Sequence, residues 1–380
     1  MKVFGLHLAL FVNGKKSHSM EQFHQIPSSN WLVRPPTFTG IGDNIDNPFL
    51  EGKIVAREIG FGFLYFPMQR YWRGVRCDWE NFFGFGAGET QLGDFFDFDF
   101  DITAATEAWD LHRSEEDWQE FMSAMNRCLC VPGYEIQEAP HQDISERESS
   151  TAFYRTVNDM RLERTILFQR SGYWVLKSAQ LRDLTALMQS RYWRARATVP
   201  MNTSYAANEL ICAVHIRRDD IAPAKFVEID YYASLFAELA PIVEKVGGKF
   251  YISTDGTEDD IKAITDKYPC IVNHGGDPRQ AFHDLACADV LVPTVSSFSV
   301  IAGRVSTNLK LFHGEHQFKD LSRFLKRGLQ FTPDWIYIGD EGRLSDESKS
   351  CIVSHFERRR NLKAGVEFLA AADWPDQGLA

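Results

Sequence analysis

The sequence predicts an α/β protein built from two Rossmann-like domains with parallel sheets. Three observations carry that expectation. After residue 208, short apolar runs alternate with amphipathic helical runs, the pattern of a parallel sheet covered on both faces. At 380 residues the chain is long enough for two domains rather than one. The stretch ATVPMNTSYAAN, 197–208, separates an irregular first part from this regular second part and marks the boundary. The expected division is 1–200, 201–345 and a last helical segment, 346–380, that packs back on the first domain.

The elements follow in order. MKVFGLHLALFV is apolar but too short to span a bilayer, and it reads as a first strand. Residues 43–60 read as a helix closed by Gly60, and FGFLYFP after it as a strand. Residues 136–150 are polar and acidic and read as a loop. Residues 151–165 and 178–195 have helical spacing, with the strand-like GYWVL between them. LICAVHI is a strand, and DYYASLFAELAPIVEKV is a helix with Leu235, Leu239, Ile242 and Val246 on one face. Gly247–Gly248 ends that helix. KFYIST is a strand, and Thr257-Glu-Asp-Asp260 is a capping box that opens the next helix. CIVN, PRQAFHDLACA, DVLVPT, SSFSVIAGRVS and LKLFH continue the alternation. A helix over 348–370 closes it, and Arg358-Arg-Arg360 reads as its solvated face.

Composition narrows the classes of function. Hydrophobic residues make up 44% of the chain, enough for a sizeable core. The net charge of −11 excludes a general nucleic-acid surface but not a local basic site. Seven scattered cysteines include no CxxC pair and read as free thiols of a reducing compartment. No segment is long enough to span a membrane, so the expectation is a soluble, cytoplasmic protein.

Chemistry concentrates where parallel sheets keep it, outside the carboxyl ends of the strands. One strand ends in His215-Ile-Arg217-Arg218-Asp219-Asp220, a second in Ser253-Thr254-Asp255-Gly256, a third in Pro293-Thr294-Val295-Ser296-Ser297-Phe298. Arginine carries a planar fork of donors suited to phosphate. Ser296 and Ser297 open a helix whose N–H groups and dipole also favour an anion. Together they make a diphosphate site, with a surface Arg–Asp network capping a strand as the alternative.

His-x-Arg-Arg-x-Asp, here His215, Arg217, Arg218 and Asp220, resembles the first donor-site motif of the fucosyltransferase superfamily. That superfamily includes the α1,2- and α1,6-fucosyltransferases, the rhizobial nodulation enzymes and the protein O-fucosyltransferases. KFYISTDGTEDDIKAITDKYP is similar to the strand–Thr-Asp–helix segment of the α1,6 enzymes. AFHDLACADVLVPTVSSFS resembles the last donor motif, with Asp289, Ser296, Ser297 and Phe298 in register. The three lie in order over residues 210–305, about a quarter of the chain. TFTGIGDN, 37–44, resembles the Gly-rich turn of the nodulation enzymes, with Trp72-Arg73-Gly74 further on. Gly40 and Gly42 would let backbone approach a ligand, or form an ordinary Gly-Asp turn.

The resemblance implies a GT-B fold with two domains facing a cleft. It implies inverting, metal-independent transfer of fucose from GDP-fucose to a glycan, with no cofactor. Arg217 would hold the β-phosphate, supported by Arg218, with Asp220 completing the motif. Gly40, Gly42, His215, Asp255, His283, Ser296, Ser297 and Phe298 would line the donor site. Two departures stand out. The glutamate that follows the motif in the α1,6 enzymes is replaced by IAPAK, with Lys225 nearest. The guanine-reading aspartate falls on or near Ala281, with Asp277 or Asp284 as replacements. Another nucleotide sugar, or a non-catalytic nucleotide-sugar or glycan-binding protein of the same fold, therefore stays open.

In GDFFDFDFDI, Asp97, Asp99 and Asp101 alternate with phenylalanines, which is a half-buried strand before it is a manganese motif. TGIGD lacks the third glycine and the acidic ribose partner of a dinucleotide fingerprint, which disfavours a dehydrogenase.

Overall fold

The computed structural model describes residues 30–35, 45–67, 71–72, 75–76, 78–86, 88–97, 114–140, 147–170, 178–218, 227–294, 296–313 and 334–365. They fall into two compact units. The first draws on Met1–Phe38, Asn47–Gln69 and Gly88–Gly172, the second on Thr39–Asp46, Arg70–Ala87 and Tyr173–Ala380.

From β1 (Trp31–Val33) the chain runs through a wide helical turn, Ile45–Glu51, into α1 (Gly52–Glu58) and β2 (Gly62–Tyr65). The ribbon β3 (Tyr71–Trp72) and β4 (Val75–Arg76) and the short α2 (Trp79–Phe83) belong to the second unit. The chain returns to the first unit with β5 (Thr90–Gln91), α3 (Glu115–Cys128), β6 (Glu135–Glu138), α4 (Arg147–Asp159) and β7 (Thr165–Phe168). Among the described residues the first sheet runs β5-β2-β1-β7-β6, all parallel. One face buries Trp31, Val33, Ile166 and Phe168 against Trp118, Phe121 and Met125 of α3.

The second unit continues with α5 (Ser178–Thr198), β8 (Ile211–Ile216), α6 (Ile229–Lys245), β9 (Lys249–Thr254), α7 (Glu258–Thr265) and β10 (Cys270–His274). Then come α8 (Pro278–Cys287), β11 (Val290–Val292), α9 (Ser297–Val305), β12 (Leu309–His313), β13 (Trp335–Ile338) and α10 (Asp346–Gly365). The sheet order is β10-β9-β8-β11-β12-β13, all parallel. Counted along this unit the order is 3-2-1-4-5-6, the doubly wound nucleotide-binding arrangement. Leu235, Leu239, Ile242 and Val246 are buried as the helical spacing predicts. Gly247 ends the helix at φ +62°. Thr257 and Asp260 close the capping box, with Asp260 accepting from the Thr257 N–H at 2.7 Å.

Two parallel-sheet α/β units are thus present, as expected of the fold class. Several details differ. The strand that enters the first sheet after α4 is Thr165–Phe168, which starts on the last residue of the helical stretch expected over 151–165 and was not expected as a strand. Arg161 and Arg164 take positive φ and break the helical path before it. The segment read as a loop contains β6 and the start of α4. The strand-like GYWVL and the apolar N-terminus lie outside the described residues. Helix α5 belongs with the second unit rather than ending the first. Gln189 donates to the carbonyls of Arg304 and Ser306, and Trp193 to that of Val305.

The last helix also corrects the reading. Its described part packs on the second unit, with Ile352 and Phe356 in that unit's core. Asp289, fully buried at the start of β11, accepts from Arg359 and Lys363 at 2.7 Å each and from the Ile211 N–H at 2.8 Å. Arg360 reaches the Val246 carbonyl. The arginine run is therefore anchored as well as solvent-facing: Arg358 and Arg360 are exposed, Arg359 half-buried, and each has a hydrogen-bond partner in the second unit. No helix among the described residues is long and apolar enough to cross a membrane.

Candidate diphosphate site

Between β8 and β11 the second sheet reverses its direction of growth, and outside the carboxyl ends of such neighbours a parallel sheet opens its ligand crevice. His215 lies near the end of β8, Arg217 and Arg218 follow it, and Thr294 and Ser296 lie between β11 and α9. The sequence therefore delivers its arginines and its helix N-terminus to one place.

Arg217 is the centre of this cluster. Its Nη1 donates to Ser296 Oγ at 3.2 Å, and its Nε lies 3.9 Å from Asp255 Oδ2. A quarter of the side chain stays exposed. Ser296 is the N-cap of α9, and the leading N–H groups of Ser297, Phe298 and Ser299 have no carbonyl one turn back within the helix. Ser299 Oγ accepts from the Thr294 N–H at 3.1 Å and so fixes the turn that aims the helix.

Arg218 does a different job. Its N–H donates to Asp255 Oδ1 at 2.7 Å, its Nη1 donates to the Val227 carbonyl at 2.7 Å, and its guanidinium lies over the Tyr232 ring. Tyr232 in turn bonds Thr294 at 2.8 Å. Arg218 thus braces β8 to α6. Asp255 holds both arginines and, as a carboxylate, would repel a diphosphate, so its part is to position rather than to bind the donor. Gly256 is required beside it: a Cβ there would lie 2.7 Å from the Arg218 Cβ.

His215 is buried, and its Nδ1 has no hydrogen-bond partner among the described residues. Burial, and then the Arg217 charge, push its pKa down to about 3, so it is neutral. Its ring lies 5.8 Å from that of Phe298, which meets Phe282 at 5.5 Å. His283 does not join the cluster. Its ring nitrogens are engaged by Tyr192 Oη and the Met201 carbonyl, both at 2.8 Å, so it is a satisfied core histidine.

The two substitutes for a guanine-reading aspartate are also committed. Asp284, fully buried, accepts from Ser204 N and Oγ, Tyr251 Oη and Gln280 Nε2 at 2.7–2.9 Å. Asp277 caps α8 and pairs with Arg279 at 2.8 Å, which holds its carboxyl below the usual range. Asp289 sits at the opposite end of its strand from the site. The described part of the stretch expected as a half-buried strand is not one: Gly93 and Asp94 lie in a short 3-10 turn, Phe95 and Phe96 are both buried, and Phe96 makes only an isolated antiparallel bridge to Leu129. Asp220, Gly40, Gly42 and Lys225, like Asp99 and Asp101, lie outside the described residues. Tyr232, Ser299 and Gly256 were not singled out from sequence. Tyr232 was hidden in an amphipathic helix whose apolar stripe explained it already.

No family model matches this chain, and no curated protein matches it. Solved structures similar to it include POFUT1 in complex with GDP-fucose, at 13% identity over 76% of this chain and 98% of that one, TM-score 0.46. The E. coli heptosyltransferase WaaC with ADP is similar at 13% identity over 87% and 99%, TM-score 0.44. The glycosyltransferase SnogD from Streptomyces nogalater is similar at 13% over 89% and 95%, TM-score 0.37. At such identities and scores, the functional reading rests on the site's own residues.

Proposed function

We propose that this protein is a glycosyltransferase of GT-B type, moving fucose from GDP-fucose to a glycan acceptor with inversion and without a metal. One observation carries the reading. At the switch point of a doubly wound sheet, Arg217 is tied to the N-cap of α9 and oriented by Asp255. A nucleotide sugar placed there sets its β-phosphate against a guanidinium and a helix N-terminus. As the acceptor hydroxyl's oxygen bonds the sugar's anomeric carbon and releases its proton to solvent, the diphosphate leaves with the electron pair of the broken carbon–oxygen bond. Donors already aimed at that position meet the developing charge without reorganising. The resemblance of the three ordered motifs supplies fucose and guanine.

A second reading keeps the fold and changes the nucleotide. It is favoured by Asp284, whose carboxylate is saturated by protein donors and free to read no base. A melting-temperature screen separates the two. GDP stabilises the protein and UDP does so much less if the donor is a guanosine sugar, because only a ligand of the folded state shifts the transition. Equal shifts favour the second reading. Transfer or donor hydrolysis in EDTA tests the metal. Activity is expected to survive, and its complete loss with rescue by Mn²⁺ would replace the arginine mechanism with one that uses Asp97 and Asp99.

A further inference from the structure

The first sheet has a switch point of its own. Counted along that unit its strands run 3-2-1-5-4, so growth reverses between β1 and β7. Arg34 follows β1 and Gln169 follows β7. The Gln169 N–H donates to the Val33 carbonyl at 2.9 Å, which carries the ladder one step past Val33↔Phe168 and makes Arg34 and Gln169 register neighbours. Val33 and Phe168 point into the cluster under α3, so alternation turns the next pair to the opposite face. There Arg34, wholly buried, meets Glu51 at 3.4 Å.

Gln169 is 3% exposed, and among the described residues neither its Nε2 nor its Oε1 has a hydrogen-bond partner. A primary amide buried with both ends unsatisfied is costly, and native proteins seldom leave one so. Glu51 offsets the charge of Arg34 beside this edge. An anion would meet Glu51 and a cation would meet Arg34. A neutral group carrying a donor beside an acceptor satisfies both ends of the amide at once. We infer that the carboxyl edge between β1 and β7 is a second ligand site, where Gln169 receives a carboxamide or a pair of adjacent hydroxyls. This inference stands apart from glycosyl transfer, since the GDP response of the other sheet is read separately.

The test uses the full chain without nucleotide. Acetamide, methyl α-glucoside and N-acetylglucosamine are titrated, with glucose 6-phosphate as the charged control. Readouts are the side-chain amide resonance of Gln169, assigned by its absence in Gln169→Leu, and the melting temperature. At least one neutral probe is expected to move both, and Gln169→Leu is expected to weaken that probe's binding at least tenfold while melting no lower than wild type. Acetamide acting alone assigns an amide ligand, and methyl α-glucoside acting alone assigns hydroxyls. If no neutral probe moves the Gln169 resonance, or if Gln169→Leu keeps the response, the inference is overturned, and a trapped water is then the amide's partner.

Discussion

Two adjacent arginines of one motif carry different burdens. Arg217 keeps a quarter of its side chain exposed beside Ser296, whereas the Arg218 side chain is committed to the Val227 carbonyl and the Tyr232 ring, and its backbone N–H to Asp255. Removing Arg217 takes away a contact that strengthens as the leaving group departs, which costs about 3–4 kcal/mol, or 10²–10³ in rate. Lysine restores the charge without the bidentate fork. Arg217→Ala and Arg217→Lys are therefore expected to lose turnover while melting like wild type. Arg218→Ala is expected to lose activity together with several degrees of melting temperature, because a brace goes with it. Steady-state kinetics beside a melting curve for all three variants checks this division, and matched melting curves for Arg217→Ala and Arg218→Ala would contradict it.

The turn after β9 and the anchor of α10 are the elements most open to test. Gly256 has an ordinary φ, so its constraint is space alone. Gly256→Ala drives a methyl into the Arg218 side chain and is expected to reproduce the Arg218→Ala phenotype, with a stability loss of about 1–3 kcal/mol. At the far end of β11, Asp289 holds two cations of α10. Asp289→Ala leaves them facing an apolar void and is expected to cost about 3 kcal/mol, with turnover at saturating donor unchanged. Urea melts of both variants check these values. Much of this level was legible in the sequence. The strands and helices described between residues 209 and 313 fall where periodicity and turn chemistry put them, and so do Arg217, Arg218 and Ser296, whereas the edge strand Trp335–Ile338 was not expected. What escaped has physical reasons. Thr165–Phe168 is a threonine and three apolar residues, too short for its period to separate strand from helix. His283, Asp284 and Asp289 resemble ligands by residue type, and only the fold reveals that protein donors and acceptors already saturate them. Gln169 gave no signal at all, since nothing in the sequence marks an amide as unsatisfied.

Across the whole molecule, buried histidines set the acid limit. Burial drives the pKa of His215 to about 3 and that of His355 to about 4, and lowers that of His283 as well. The unfolded chain holds them near 6.5, so it binds more protons than the folded one below that pH. Stability is then full above about pH 6.5 and falls as pH drops toward 4. Melting temperatures between pH 7.5 and 4.5 are expected to decline, and His355→Gln to flatten the decline; a level profile would contradict the assignment of neutral buried rings. The central claim is that the switch point of the second sheet is a diphosphate site centred on Arg217. Calorimetric titration of GDP into wild type and Arg217→Ala tests it most directly. Saturable binding to wild type is expected, with a loss of at least tenfold in affinity for a variant that melts normally. Equal affinity of the two proteins for GDP, or no binding of GDP or UDP to wild type, would contradict it.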